Sequence, residues 1–227
     1  MPRDNPSIIK NLFLTGVVVT VSMLAISAFA WCNLPAGAEV PVHWNASGEV
    51  DRYASKSKGL SLLPLVSAGL YALLMLIVKI EPRILNLKQS AKAFTAVSVC
   101  VGGVLLLSHA IIVAVASGLA INAAAVVAVA VGVLFVVTGN YMGKIRSNFT
   151  FGVRTPWTLS SELSWNKTNR LAGKSLMALG LLTLILAFTT NGLFLICACG
   201  GLLLAIVAWS CVYSYHVWRN DPESQQA

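Results

Sequence analysis

The sequence predicts an all-α fold, a polytopic integral membrane bundle of six transmembrane helices. Three observations carry that expectation. Hydrophobic residues make up 57% of the chain, charged residues only 11%, and mean hydropathy is +0.78, whereas soluble domains carry about 25% charged residues. Four blocks, residues 11–38, 59–78, 93–143 and 175–218, contain no Lys, Arg, Asp or Glu. Their lengths of 28, 20, 51 and 44 residues suit one, one, two and two spans, because a helix crosses the hydrocarbon core with about 20 residues.

The elements follow in chain order. The first span is expected at about 11–31. Arg3 and Lys10 precede it, and Ala28-Phe29-Ala30 resembles a signal-peptidase site. The apolar run is longer than the roughly 7–15 residues of a signal h-region, so a retained anchor is expected. The second span falls at about 60–80. In the third block Ser117-Gly118 is the natural turn between helices at 93–116 and 120–139, and in the fourth Asn191-Gly192 divides helices at 171–190 and 193–215. Gly and Asn accept the backbone angles such turns need. Gly102-Gly103, the Gly139/Gly143 pair and Gly200-Gly201 are candidates for close helix packing.

Charge sets the orientation. With both termini on one side, that side gathers thirteen basic residues, and the opposite side holds only Arg52, Lys56 and Lys58. Positively charged loops stay cytoplasmic, so both termini are expected in the cytoplasm, the loop 32–59 outside and the insert 140–170 inside. The net charge of +8 is then a topology signal and an attraction to anionic headgroups of the lipid bilayer. It argues against direct binding of nucleic acid, because the cations are spread along loops beside membrane helices. The division expected is an amino-terminal segment, 1–90, and a second membrane domain, 91–227.

Two loops concentrate the polar chemistry. In the outer loop Pro41 holds the backbone extended before His43, and Asn45-Ala46-Ser47-Gly48 has turn chemistry with Gly48 suited to positive φ. This presents His43 and Trp44 on one arm and Asp51 just past the turn. Two readings fit: an ordered loop whose Trp sits at the headgroup level, or a recognition surface for an external ligand. In the inner insert Asn140, Lys144, Arg146 and Asn148 lead to a bend at Gly152 and Arg154. Thr155-Pro156 reads as an N-cap followed by a first-turn proline, opening a helix to about Arg170 that continues into the fifth span. Trp157 and Trp165 suit the membrane interface, and Arg146 and Arg154 suit lipid, Glu162 or a partner's carboxylate. An interfacial anchor and a partner surface both fit this segment.

No catalytic residue stands out, no metal-ligand spacing is present, and no cofactor is implied. Five cysteines, most of them in apolar runs, give no disulfide framework and read as small packing residues. His109 is an ionisable residue in a span, which by default is a functional candidate. It supports the alternative of a small-solute or proton-coupled transporter or efflux module, against a neutral His bonded to a neighbouring helix.

The string Asn140, Lys144-Ile145-Arg146-Ser147-Asn148-Phe149, with Gly152-Val153-Arg154-Thr155-Pro156-Trp157-Thr158-Leu159, Trp165, Thr168, Arg170 and Gly173, resembles the signature of the SdpI family of bacterial immunity membrane proteins. Pro41, His43-Trp44-Asn45, Gly48 and Asp51 resemble the uncharacterised amino-terminal domain common in that family. The resemblance implies a multi-pass protein of the bacterial inner membrane, not an enzyme, that protects its producer from a secreted killing peptide. It further implies a signalling role in which a cytoplasmic helix-turn-helix repressor is held at the membrane. The outer motif would then meet the peptide and the inner motif the regulator.

Overall fold

The computed structural model describes residues 6–45, 47–190 and 192–225. Arg3 of the charge count, Ala46 of the outer turn and Asn191 of the last interhelical turn lie outside the described residues. The element order is α1 (Pro6–Asn33), β1 (Glu39–Trp44), β2 (Val50–Ser55), α2 (Lys56–Ile80), α3 (Ile84–Gln89), α4 (Ala91–Ala116), α5 (Ala123–Met142), α6 (Pro156–Ser160), α7 (Glu162–Thr189) and α8 (Gly192–Arg219), with a terminal 3-10 turn at Pro222–Gln225. Six helices, α1, α2, α4, α5, α7 and α8, are long and apolar enough to cross a membrane. The expected six-helix membrane bundle is what forms. The two faces of the bundle are named here for what they carry, the hairpin face (β1 and β2) and the insert face (residues 143–161).

Helix ends follow local chemistry. At the end of α4, Gly118 takes φ +86°, and the amides of Ser117, Gly118 and Leu119 turn back onto the carbonyls of Val113, Val115 and Ala114. This satisfies acceptors that the helix leaves open. Asn122 then caps α5, its Oδ1 accepting from Ala125 N at 3.1 Å.

The spans pack in the sequence α2–α1–α4–α5–α7–α8, with a smaller contact of α2 on α4. Among the described residues α2 and α8 have no substantial contact with each other. The helices thus enclose a space between those two ends. Tyr71 of α2 organises the first half. A Cβ added at Gly16 would meet its side chain at 2.8 Å, and one at Gly102 would meet its hydroxyl at 2.3 Å. That hydroxyl donates to Ser98 O at 2.8 Å. Ile8, Leu12, Val19, Met23, Val78, Leu87 and Phe94 complete this buried cluster.

In the second half α5 and α7 approach backbone to backbone. A Cβ at Gly139 would lie 2.5 Å from Gly173 O, and one at Gly180 would lie 2.7 Å from Gly132 O. Small residues permit such contact, the usual means by which helices associate in lipid. Gly102 and Gly139 therefore take the packing role expected of them. Gly103, Gly200 and Gly201 face open space instead.

The loop 32–59, expected outside, is more ordered than the all-α expectation requires. It folds into an antiparallel hairpin pairing Val40 with Ala54, Pro41 with Tyr53, His43 with Arg52 and Trp44 with Val50. Irregularities fall on either side of His43, next to a proline that has no N–H to give the ladder. Val40 is fully buried against Gly59, where a Cβ would meet it at 2.5 Å. Lys56 ties the base of the hairpin to α1, donating to Leu34 O at 2.6 Å with its ammonium 5.0 Å from the Trp31 ring.

Candidate functional site

The strongest candidate is a cavity under the hairpin. Its volume is about 590 Å³, and its wall includes Val42, His43, Trp44 and Asn45 of the hairpin, Leu62 and Leu63 of α2, Ile111 and Ile112 of α4, Ala124, Ala125, Val127 and Ala128 of α5, Ala187 of α7 and Leu195, Ile196 and Leu203 of α8. Cavities of this size with few polar groups are where proteins usually hold ligands.

Local sequence places the hairpin over this space. Asn45 closes the turn, its Oδ1 accepting from Ser47 N at 2.9 Å and Glu49 N at 3.0 Å, and Gly48 supplies the positive φ of +85°. A Cβ at Gly48 would stand 3.6 Å from Ala124 Cβ, so the tip reaches the start of α5. Pro41 is buried. His43 Nδ1 lies 2.6 Å from Asp51 Oδ1, joining the two arms. Both side chains are roughly half exposed, at 50% and 43%, so the pair contributes at most about 1 kcal/mol. Its consequence is orientation: the imidazole is fixed at the cavity mouth. All six outer-loop candidates therefore lie in one hairpin, and His43, Trp44 and Asn45 line the cavity itself.

Away from the hairpin, the hydroxyls and the Asn122 carboxamide oxygen in the wall are already bonded. Ser108 donates to Val104 O, Thr190 to Leu186 O, and Thr183 to Leu179 O, while Asn122 is spent as the cap of α5. The wall thus behaves as hydrocarbon. An apolar ligand would gain about 25 cal/mol per Å² of surface removed from water.

The insert on the opposite face is a second candidate, built differently. Trp165 is fully buried, its indole N–H donating to Ile145 O at 2.9 Å, with Ala93, Tyr141, Phe151 and Leu159 in the same cluster. The sequence expectation of an interfacial Trp165 is corrected: the indole is the core about which the insert wraps. Asn148, also fully buried, accepts from Thr150 N and Phe151 N at 2.8 and 2.9 Å. Gly152 adopts φ +115° where a Cβ would press on Asn169 Oδ1 at 2.8 Å. The N-cap expected at Thr155 forms as a capping box with Thr158, and Thr155 Oγ1 also contacts Ser214 Oγ at 3.0 Å.

The expected helix from Pro156 to Arg170 is broken. Ser161 is extended (φ −138°, ψ 121°) and caps a new helix through Ser164 N, so α6 is a single short turn and Glu162 opens α7. Ser161 Oγ also donates to the buried Asp221 carboxylate at 2.5 Å.

A buried carboxylate does meet the insert, but it is Glu81 rather than Glu162. Glu81 accepts from Phe149 N at 3.1 and 3.2 Å, from Thr150 Oγ1 at 2.5 Å and from Arg83 N at 3.0 Å. Arg83 donates to Ser147 Oγ and to Leu159 O, with its guanidinium 5.1 Å from the Phe149 ring. Asn86 donates to Ser147 O at 2.7 Å. Arg154 donates to Phe149 O. Asn148, Thr155 and Trp165 are thus consumed in internal bonds, whereas Asn140, Lys144, Arg146, Arg154, Pro156 and Arg170 are exposed. Trp157 is half-buried and edge-on to Tyr215 at 5.3 Å.

Glu81 and Asp221 escaped the sequence reading. The available signal was that only eight acidic residues exist, and these two sit at span ends on the cation-rich side.

His109 is fully buried and 2.8 Å from Ser27 Oγ. Ser27 Oγ also donates to Leu60 O at 2.8 Å, so the contact belongs to a chain of bonds that links α4, α1 and α2. The imidazole joins α4 to α1 and lies off the cavity wall.

Three comparisons bear on this architecture. Residues 144–214 match the SdpI/YfhL protein family, and residues 18–68 match a domain of unknown function, DUF1648. The "Immunity protein SdpI" of Bacillus subtilis (strain 168) is 26% identical over 214 residues, covering 93% of this chain and 97% of that protein. No solved structure matches the chain.

Proposed function

For a chain of the SdpI/YfhL family with an apolar cavity beneath its DUF1648 hairpin, we propose a role in membrane immunity: binding the hydrophobic part of a secreted killing peptide at the outer face. The observation that carries this reading is that His43, Trp44 and Asn45 stand at the mouth of a cavity of about 590 Å³ whose remaining polar groups are already bonded. Such a wall selects for apolar surface and offers an ion little. The charge asymmetry of thirteen basic residues against three supports a cytoplasmic insert and an external hairpin, with both termini on the cytoplasmic side of the bacterial inner membrane. A peptide segment already dissolved in the bilayer has a lateral route in, between α2 and α8. Protection then amounts to holding the peptide away from the membrane it would damage, a binding task without catalysis.

A signalling branch fits the same frame. Helix α2 contributes Leu62 and Leu63 to the cavity and continues directly into Glu81 and Arg83, which grip the insert. A ligand that favours one position of α2 over another shifts the insert with it, since only differential binding moves such an equilibrium. The exposed cations Lys144, Arg146, Arg154 and Arg170 are the surface offered to a cytoplasmic helix-turn-helix repressor. The alternative of transport through His109 has weaker support, because that imidazole is bonded to Ser27 and is not among the residues that line the cavity.

The test is survival of cells challenged with the cognate killing peptide. Trp44→Ala removes the aromatic at the mouth, and Ala125→Phe fills space in the wall. Each is expected to cut protection by about tenfold or more, the effect of roughly 1.4 kcal/mol in binding, at unchanged protein levels in the membrane. Full protection by both variants would refute the cavity as the peptide site.

A further inference from the structure

A second crevice, of about 340 Å³, opens on the insert face between α7 and α8. Ala172 and Leu176 form one side and Leu203, Ile206 and Val207 the other, while residues 152–155 roof its end and place Arg154 at the mouth. Leu203 also lines the cavity under the hairpin, so it is the partition between the two spaces. Both hydroxyls that line the crevice are bonded, Ser210 donating to Ile206 O at 2.7 Å and Thr155 Oγ1 lying 3.0 Å from Ser214 Oγ, leaving the interior apolar.

Two further observations define what enters. Helix α8 is the least covered span: 6% of its apolar window is buried, against 22–33% in the other five. Val207, 54% exposed, leaves the crevice open to the bilayer along its side. The mouth is also positive. Arg154 is exposed, and the same face of the bundle also exposes Lys144, Arg146, Lys167, Arg170 and Lys174 against the exposed acids Glu162 and Glu223, whereas Glu81 and Asp221 are buried and bonded to the protein.

We infer that this crevice is a site for an anionic phospholipid, one acyl chain lying between α7 and α8 and the headgroup phosphate on Arg154. The chemistry divides cleanly between the two parts. The apolar walls match a methylene chain, which loses nothing by leaving other lipid tails, so they supply fit. The guanidinium supplies selectivity, because a phosphate meets a planar donor fork and a net negative headgroup is favoured at a cationic surface. The proposal is independent of the peptide site, which lies at the other end of the bundle, and it shares Arg154 with the surface offered to a repressor.

The full-length protein, purified in detergent, is titrated with phosphatidylglycerol or phosphatidylcholine of the same acyl chains. Bound lipid is counted by native mass spectrometry, and thermal unfolding is followed in parallel. Phosphatidylglycerol is expected to be retained in preference to phosphatidylcholine. Arg154→Gln should reduce that preference about fivefold, the effect of roughly one cationic contact at a membrane surface. Lys58→Gln, which removes an exposed cation from the hairpin face, should leave the preference intact, and Val207→Phe should lower retention of both lipids. Inorganic phosphate and glycerol phosphate should neither bind nor raise the unfolding temperature, which separates a lipid from a free anion. Equal retention of the two lipids by the parent protein, an unchanged preference in Arg154→Gln, an equal loss in Lys58→Gln, undiminished retention in Val207→Phe, or equal stabilisation by free phosphate would each overturn the assignment.

Discussion

Replacing Glu81 by Gln isolates the contact that fastens α2 to the insert. The carboxylate is 7% exposed and receives bonds from Phe149 N, Thr150 Oγ1 and Arg83 N. Hydrogen bonds to a charged acceptor contribute roughly 1.5–3 kcal/mol each, and neutral ones roughly 0.5–1.5 kcal/mol. The amide keeps the shape and one carbonyl oxygen, so the loss is the charge assistance on three bonds, about 3–4 kcal/mol in total. Against this stands the desolvation cost of burying a carboxylate, which the variant no longer bears. A net weakening of about 2 kcal/mol corresponds to roughly a 30-fold increase in the population of the open insert. Limited trypsin digestion measures that population directly, because Arg146 and Arg154 flank the segment that would be released. When reclosing is faster than cleavage, the cutting rate follows the opening equilibrium. Cleavage at these two sites should therefore accelerate about 30-fold in Glu81→Gln, with the helices otherwise intact. A rate within about threefold of the parent would refute the view that Glu81 holds the insert closed.

Two other predictions follow from geometry and charge. Gly152→Ala combines a left-handed backbone of φ +115° with a Cβ 2.8 Å from Asn169 Oδ1, and should cost about 2–4 kcal/mol, read as a lowered unfolding temperature in detergent; a variant as stable as the parent would mean the bend is not confined as described. Sidedness is checked with single cysteines in a cysteine-free background. Ser57→Cys should react with an impermeant maleimide in intact cells and Lys167→Cys only after permeabilisation, and the reverse pattern would invert the assignment of faces.

Much of this molecule is encoded locally. The spans are visible because uncharged runs of 20 residues or more have few stable locations besides a bilayer, and Lys and Arg mark their flanks. The hairpin turn at Asn45 and Gly48, the cap at Thr155 and the turn at Gly118 are likewise legible, since each rests on the conformational preferences of a few adjacent residues.

Other features exist only once distant segments meet. Phe149 and Glu81 are 68 residues apart in sequence, and Ser161 and Asp221 are 60 apart. Nothing near either acid announces its partner, and the break at Ser161 depends on that second pairing as well as on its own cap. Trp165 reads as an interfacial aromatic from its neighbours in the chain, because a buried and a headgroup-level indole look alike until the donor to Ile145 O is placed. The cavity is the clearest case. Its wall comes from the hairpin and five helices, most of them contributing residues that are individually unremarked Ala, Leu and Ile. Sequence determines where hydrophobic surface occurs and how the cations are distributed between its loops. Only the packing order of the spans decides which of that surface is buried, which meets lipid and which is left enclosing an empty space.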